Sequence, residues 1–227
     1  MTRLAATLRT DLVVQLRNGF YLATALVVAF SIGFLRWLPK DAAALLLPVV
    51  LLENVVVNTF YFASALVLLE RGEGTLAAQS VTPLRAGEYL ASKVLTLTAL
   101  SLGEGLLIAA AVGGLDARLA GTALGIGLAA ALLCLAGVGL VVRYEALNEF
   151  IMPSVVYTSL LSLPLLGYFG VGAREWYLPH PIQGPLDLLQ ARSPQTGALA
   201  YAIGYPALWI VPAYVWSRRN LRRMRSR

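Results

Sequence analysis

Six apolar stretches, each long enough to cross the roughly 30 Å of hydrocarbon in a bilayer, divide this 227-residue chain from Phe20 onward. They run Phe20–Leu38, Ala42–Leu69, Val94–Leu115, Leu119–Val142, Phe150–Ala173 and Gly197–Trp216. A backbone in hydrocarbon must satisfy its own N–H and C=O groups, so such runs form helices or a closed barrel, and runs this long and continuous form helices. Only 13% of residues are charged, about half the share of a soluble domain. The expectation is an all-α integral membrane fold with six transmembrane helices in a single domain spanning residues 1–227. The second stretch is longer than a crossing needs, and Pro48 is expected to start, kink or interrupt it.

Basic residues set the orientation. With both termini on one side, that side holds Arg3, Arg9, Arg17, Arg71, Arg85, Lys93, Arg143 and six arginines of the tail, thirteen in all. The other side holds five: Arg36, Lys40, Arg118, Arg174 and Arg192. Both ends are therefore expected in the cytoplasm of a bacterial inner-membrane protein, and the basic tail 217–227 reads as a topology anchor that touches lipid rather than nucleic acid. The N-terminal stretch 1–19 is too interrupted by charge for a cleavable signal. Leu4, Leu8, Leu12 and Leu16 recur every four residues there, which predicts an interfacial amphipathic helix. The outer segment 172–196 carries Trp176, Tyr177 and four prolines, and is expected to be partly re-entrant, with Ile182, Leu186 and Leu189 facing the bilayer.

Several chemistries are excluded or disfavoured. No GxxxxGK[ST] motif exists to cradle ATP phosphates, and no HExxH. One His (His180) and one Cys (Cys134) leave no disulfide framework and make a His/Cys metal site improbable. The residues that stand out are polar groups inside the apolar runs: Glu53, Asn54, Asn58 and Tyr61 in the second, and Glu104 in the third. Ionisable residues at membrane depth are costly and face a protein interior or water. These five either line a translocation path for a polar or cationic substrate or act as polar glue between helices. Pro153, Pro164, Pro206 and Pro212 permit kinks, and Gly121, Gly125 and Ala129 permit close helix approach.

The polar island Glu70–Lys93 separates the second and third stretches. Gly72 and Gly74 break the second helix just past Glu70; Thr75 is placed to N-cap a short crosswise helix from Leu76 to about Ser80; Thr82-Pro83 ends it; and a new helix starts near Leu84–Arg85. Glu70, Gly74-Thr75-Leu76, Thr82-Pro83 and Lys93, in this order and spacing, resemble the loop between the second and third spans of the permease subunits of type-2 ABC exporters. The six-span plan and basic first helix fit the same resemblance, and TPLRAGEYLASK is similar to permeases of drug export, including the fluoroquinolone-export type. Where family members often carry an acidic residue and leucines, this chain has Ala77, Gln79 and Ser80.

The resemblance implies a coupling helix in segment 70–93, in which Glu70, Gly74, Thr75, Leu76, Thr82, Pro83 and Arg85 contact a separate ATP-binding cassette subunit. That subunit would hold ATP and Mg, so this chain would bind no cofactor and catalyse nothing. A second permease chain, identical or related, would complete the path. The competing expectations are a proton-coupled secondary carrier using Glu53 and Glu104, or a membrane-embedded enzyme.

Overall fold

The computed structural model describes residues 3–76, 84–114, 118–190 and 196–225. Every regular element among them is helical: α1 (Arg3–Arg17), α2 (Phe20–Trp37), α3 (Lys40–Val55), a π-helical segment (Val56–Tyr61), α4 (Phe62–Gly72), α5 (Ala86–Gly113), α6 (Arg118–Val141), α7 (Leu147–Leu161), α8 (Pro164–Tyr168), a 3₁₀ turn (Arg174–Trp176), α9 (Gln183–Leu189) and α10 (Thr196–Arg225). Five segments are long and apolar enough to cross a bilayer: Phe20–Trp37, Lys40–Gly72, Ala86–Gly113, Leu119–Val141 and Gly197–Met224.

The buried core is mostly apolar, yet polar side chains are buried within it and large apolar ones cover the outside. On α2, Thr24 and Ser31 are buried while Leu22, Leu26 and Phe30 are exposed, as a lipid solvent demands. Pro48 lies within α3 without ending it. The irregularity falls later, at Val56–Tyr61, where α3, the π segment and α4 join into one 33-residue span. Hydroxyls tie up carbonyls beside that bulge: Thr59 donates to Val55 O at 2.6 Å and Ser64 to Phe60 O at 2.7 Å.

The most buried span is Leu119–Val141; its helix, α6, packs on α5, α9, α10 and the π segment. Its glycines allow this. A β-carbon at Gly137 would stand 2.5 Å from Phe60 O, and one at Gly125 would stand 2.9 Å from Pro185 O. Cys134 is buried on the same helix among apolar side chains.

Two expectations change here. The fifth apolar stretch is not one helix: α7 ends at Leu161, α8 begins at Pro164, and Leu163, Leu165 and Leu166 make three-residue hydrogen bonds in between. Pro164 has no N–H to give to the preceding turn, so the ladder breaks there. Ile182, Leu186 and Leu189 do not face the bilayer but are buried, because α9 packs between α6, α10 and α3. Tyr201 and Tyr205 of α10 fix the approach to α9, donating to Leu178 O and Pro179 O at 2.6 Å each. His180 accepts from Ile182 N–H at Nδ1 and contacts Leu160 O through Nε2 at 3.1 Å. Burial lowers the pKa of its ring, consistent with the neutral form that this bonding requires.

If the π segment is held by the glycine contact, Gly137→Ala will destabilise the protein by about 1–3 kcal/mol through overpacking. Gly127→Ala, where nothing lies within 4 Å of the added carbon, will not. Thermal unfolding of the two detergent-solubilised variants compares them directly.

Candidate functional site

Asp11 and Gln15 lie four residues apart on α1 and therefore on one face. That polar face is the buried one, whereas Leu12 and Leu16 are exposed. The helix turns its acid toward the protein and Leu12 and Leu16 outward, while Leu4 and Leu8 are half-buried. It packs on the first turns of α5, where Tyr89, Ser92, Lys93 and Thr96 are buried. Glu70, in the last turn of α4, closes the group.

The Lys93 ammonium sits between two carboxylates, with Nζ 2.5 Å from Asp11 Oδ1 and 2.5 Å from Glu70 Oε1. Its side chain is 0% exposed. The remaining carboxylate oxygens also have donors: Tyr89 OH gives to Glu70 Oε2 and Ser92 OH to Asp11 Oδ2, each at 2.6 Å. Gln15 donates to Thr96 Oγ1 at 2.9 Å, and the ammonium lies 4.7 Å from the centre of the Tyr89 ring. Three helices distant in sequence are thus joined through one buried cation whose partners are all satisfied.

The island residues divide around this cluster. Glu70 is part of it. Gly74 has φ +70°, the left-handed turn that ends α4. Thr75 donates its hydroxyl back to Glu70 O at 2.9 Å, so it closes the end of α4, and Leu76 is buried in the apolar core. Arg85 caps α5, its N–H donating to Glu88 Oε2 at 2.8 Å, which fits a helix starting near Leu84–Arg85. The crosswise helix to Ser80, with Thr82 and Pro83, lies outside the described residues.

The intramembrane polar residues do not converge on one surface. Asn54 donates to Ser31 Oγ at 3.2 Å, and Asn58 accepts from Thr24 at 3.1 Å; both are buried against α2. Glu53 and Tyr61 point the other way, toward the α7–α8 region. Glu53 is exposed and accepts from Ser162 at 3.0 Å, and Tyr61 OH lies 3.3 Å from Thr158 Oγ1. Glu104 is 5% exposed and neither of its oxygens has a hydrogen-bond partner among the described residues; the same holds for Asn58 Nδ2 and Ser101 Oγ. The Lys93–Glu70 contact sets the register of α4 against α5, so Asn58 and Glu104 stand at similar heights, roughly 18 and 16 Å from it along their helices. No group of three or more His, Cys, Asp or Glu among the described residues is arranged to hold a metal ion.

Over residues 2–225 the sequence matches the fluoroquinolones export permease protein family. Two Mycobacterium tuberculosis proteins, from different strains and each named a fluoroquinolones export permease protein, are 30% identical to it over 210 residues, covering 92% of this chain and 89% of theirs. The chain belongs to the fluoroquinolones export permease family. It is a multi-pass membrane permease of an export system.

Within this permease, Glu70 and Lys93 are separated in sequence by the polar island and joined in space. Sequence reasoning missed Asp11. The available signal was the acid itself: Asp11 shares its face with Leu4 and Leu8, where a carboxylate needs a buried partner. Removing one member of a buried ion cluster leaves an uncompensated charge, at a cost of about 3–5 kcal/mol. Lys93→Met is therefore expected to lose most of its folded, monodisperse protein. Adding Asp11→Asn and Glu70→Gln to that variant will restore part of it, as read by size-exclusion chromatography and thermal unfolding.

Proposed function

We propose that this permease is the membrane half of an ATP-driven exporter of ABC type. A separate ATP-binding subunit would dock on the segment after Glu70, and a second permease chain would complete the path. Substrates would be amphipathic drugs of the fluoroquinolone class, the class named for the family and its M. tuberculosis relatives. Both termini lie in the cytoplasm of the inner membrane, on the side favoured by the arginine bias, and the broken α7–α8 segment counts as the fifth of six crossings. ATP and Mg stay on the partner subunit.

The observation that carries this reading is the Lys93 contact with Glu70 and Asp11. The two helices that flank the docking segment are clamped to each other and to α1 at its base. A force applied between residues 76 and 84 would thus move α1, α4 and α5 together rather than fray one helix end. A connection between two spans needs only a few residues; this one carries a clamp.

Glu53 supplies the path. A carboxylate exposed at membrane depth is costly against lipid, so the α3–α7 surface carrying Glu53, Tyr61, Thr158 and Ser162 faces the second permease chain and the water-filled route between the two. Asn54 and Asn58, turned toward α2, serve as packing residues. Glu104 is reached only if α5 moves. A proton-coupled carrier that uses Glu104 is the second reading, favoured by its unpartnered oxygens.

Two measurements test this. Replacing residues 75–80 by a Gly/Ser linker is expected to abolish assembly with the ATP-binding subunit and drug-stimulated ATPase; unchanged assembly sinks the docking reading. Glu53→Gln is expected to alter fluoroquinolone export while assembly stays intact. Export that continues without ATP and stops with an uncoupler supports the carrier instead.

A further inference from the structure

Where α4, α6 and α10 end, on the same membrane face as the Lys93 cluster, a cleft of about 310 Å³ opens between them. Three arginines from three separate segments line it: Arg71 from α4, Arg143 after α6 and Arg223 from α10. Glu145 is the one carboxylate in the lining, and Val142 and Met224 give it an apolar wall. Arg71 is held in place, donating to Tyr144 O at 2.9 Å and pairing with Glu145 at 3.2 Å. The Glu145 side chain is 80% exposed, so water weakens that pair. Asn220, also in the lining, donates to Gly139 O at 3.0 Å and fixes α10 against α6.

We propose that this cleft binds the phosphodiester headgroup of an anionic membrane lipid. A volume of this size holds the equivalent of about ten waters, enough for a phosphate with a small alcohol. Cationic charge exceeds anionic charge in the lining, guanidinium groups match phosphate oxygens in pairs, and basic pockets between spans at the membrane surface suit such headgroups. The apolar wall receives the first carbons of the acyl chains. Arg71 directly follows Glu70, so a bound headgroup braces the end of α4 against α6 and α10, one residue from the clamp on α1 and α5. The proposal needs only the membrane assignment, not the coupling reading.

The test uses the full chain in detergent, with native mass spectrometry comparing retention of dioleoylphosphatidylglycerol and dioleoylphosphatidylcholine. The wild type is expected to retain the anionic lipid preferentially. Arg143→Gln with Arg223→Gln is expected to weaken that retention by about fivefold for each arginine, while Arg219→Gln with Arg222→Gln, on the lipid-touching tail but outside the cleft, weakens it clearly less. Glu145→Gln is expected to increase retention, a gain that misfolding does not mimic. Equal losses in the two arginine pairs, or no loss in the first, would overturn the proposal. Displacement of the lipid by millimolar inorganic phosphate or glycerol 3-phosphate would also overturn it, assigning the site to a soluble phosphate. No ATP, partner subunit or transport enters the measurement, so a negative result leaves the exporter reading standing.

Discussion

Lys93 has two carboxylate partners and no solvent exposure, and this arrangement governs the rest of the structure. A buried ammonium is tolerated only when charge and hydrogen bonds compensate it, and here the compensation comes from α1 and α4, two elements far from it in sequence. The contact fixes two things together: the register of α4 on α5 and the rotation of α1 about its own axis. Net ionic stabilisation from such a cluster is small, since desolvation offsets most of the attraction. Its strength lies in the asymmetry: every alternative arrangement leaves a bare charge behind.

The span lengths explain how such a cluster avoids the hydrocarbon. The segment Lys40–Gly72 has 33 residues and Ala86–Gly113 has 28, so at 1.5 Å per residue both exceed a bilayer's roughly 30 Å. The surplus lets the end of α4 and the start of α5 project past the apolar zone and carry Glu70 and Lys93 at the surface. Deeper in the membrane the same two segments hold weaker polar contacts: Asn58 with Thr24, Asn54 with Ser31, and Glu104 with no partner. The opposite end has its own polar contacts, Arg174 with Asp187 and the Tyr201 and Tyr205 hydroxyls with Leu178 O and Pro179 O, so polar bonding is sparsest in between.

The spans were legible in the sequence because a bilayer leaves so few options: long apolar runs must be helical, and five of the six expected stretches are continuous helices, with α5 starting well before Val94 and α10 running well past Trp216. The break past Glu70 and the restart near Arg85 were legible from glycine and capping chemistry. Three features were not. The split at Pro164 was ambiguous because prolines also sit in unbroken helices here, as at Pro48, Pro206 and Pro212. The burial of Ile182, Leu186 and Leu189 was missed because apolar residues suit both lipid and protein, and only the tertiary fit of α9 against Gly125 decides between them. The role of Asp11 was hidden because Leu4 and Leu8 share its face, so the stripe reads as lipid-facing, whereas Asp11 and Gln15 turn that side inward and leave Leu12 and Leu16 outside.

That reversal bears on how motion would cross the proposed exporter. The two faces of α1 have different attachments: Leu12 and Leu16 on the outer face, and Asp11 and Gln15 bonded to α5. A helix held by lipid on one side and by hydrogen bonds on the other resists sliding along the surface but permits rocking. The π segment lies further along the span that α4 ends, with Phe60 O close against Gly137 of α6. A π turn carries one residue more than an α turn and can migrate or relax into α geometry. A tilt begun at Glu70 would reach that bulge before it reached Glu53, so the bulge is the natural place for the Glu70 half of the span to bend while the other half, with Glu53, shifts against Ser162.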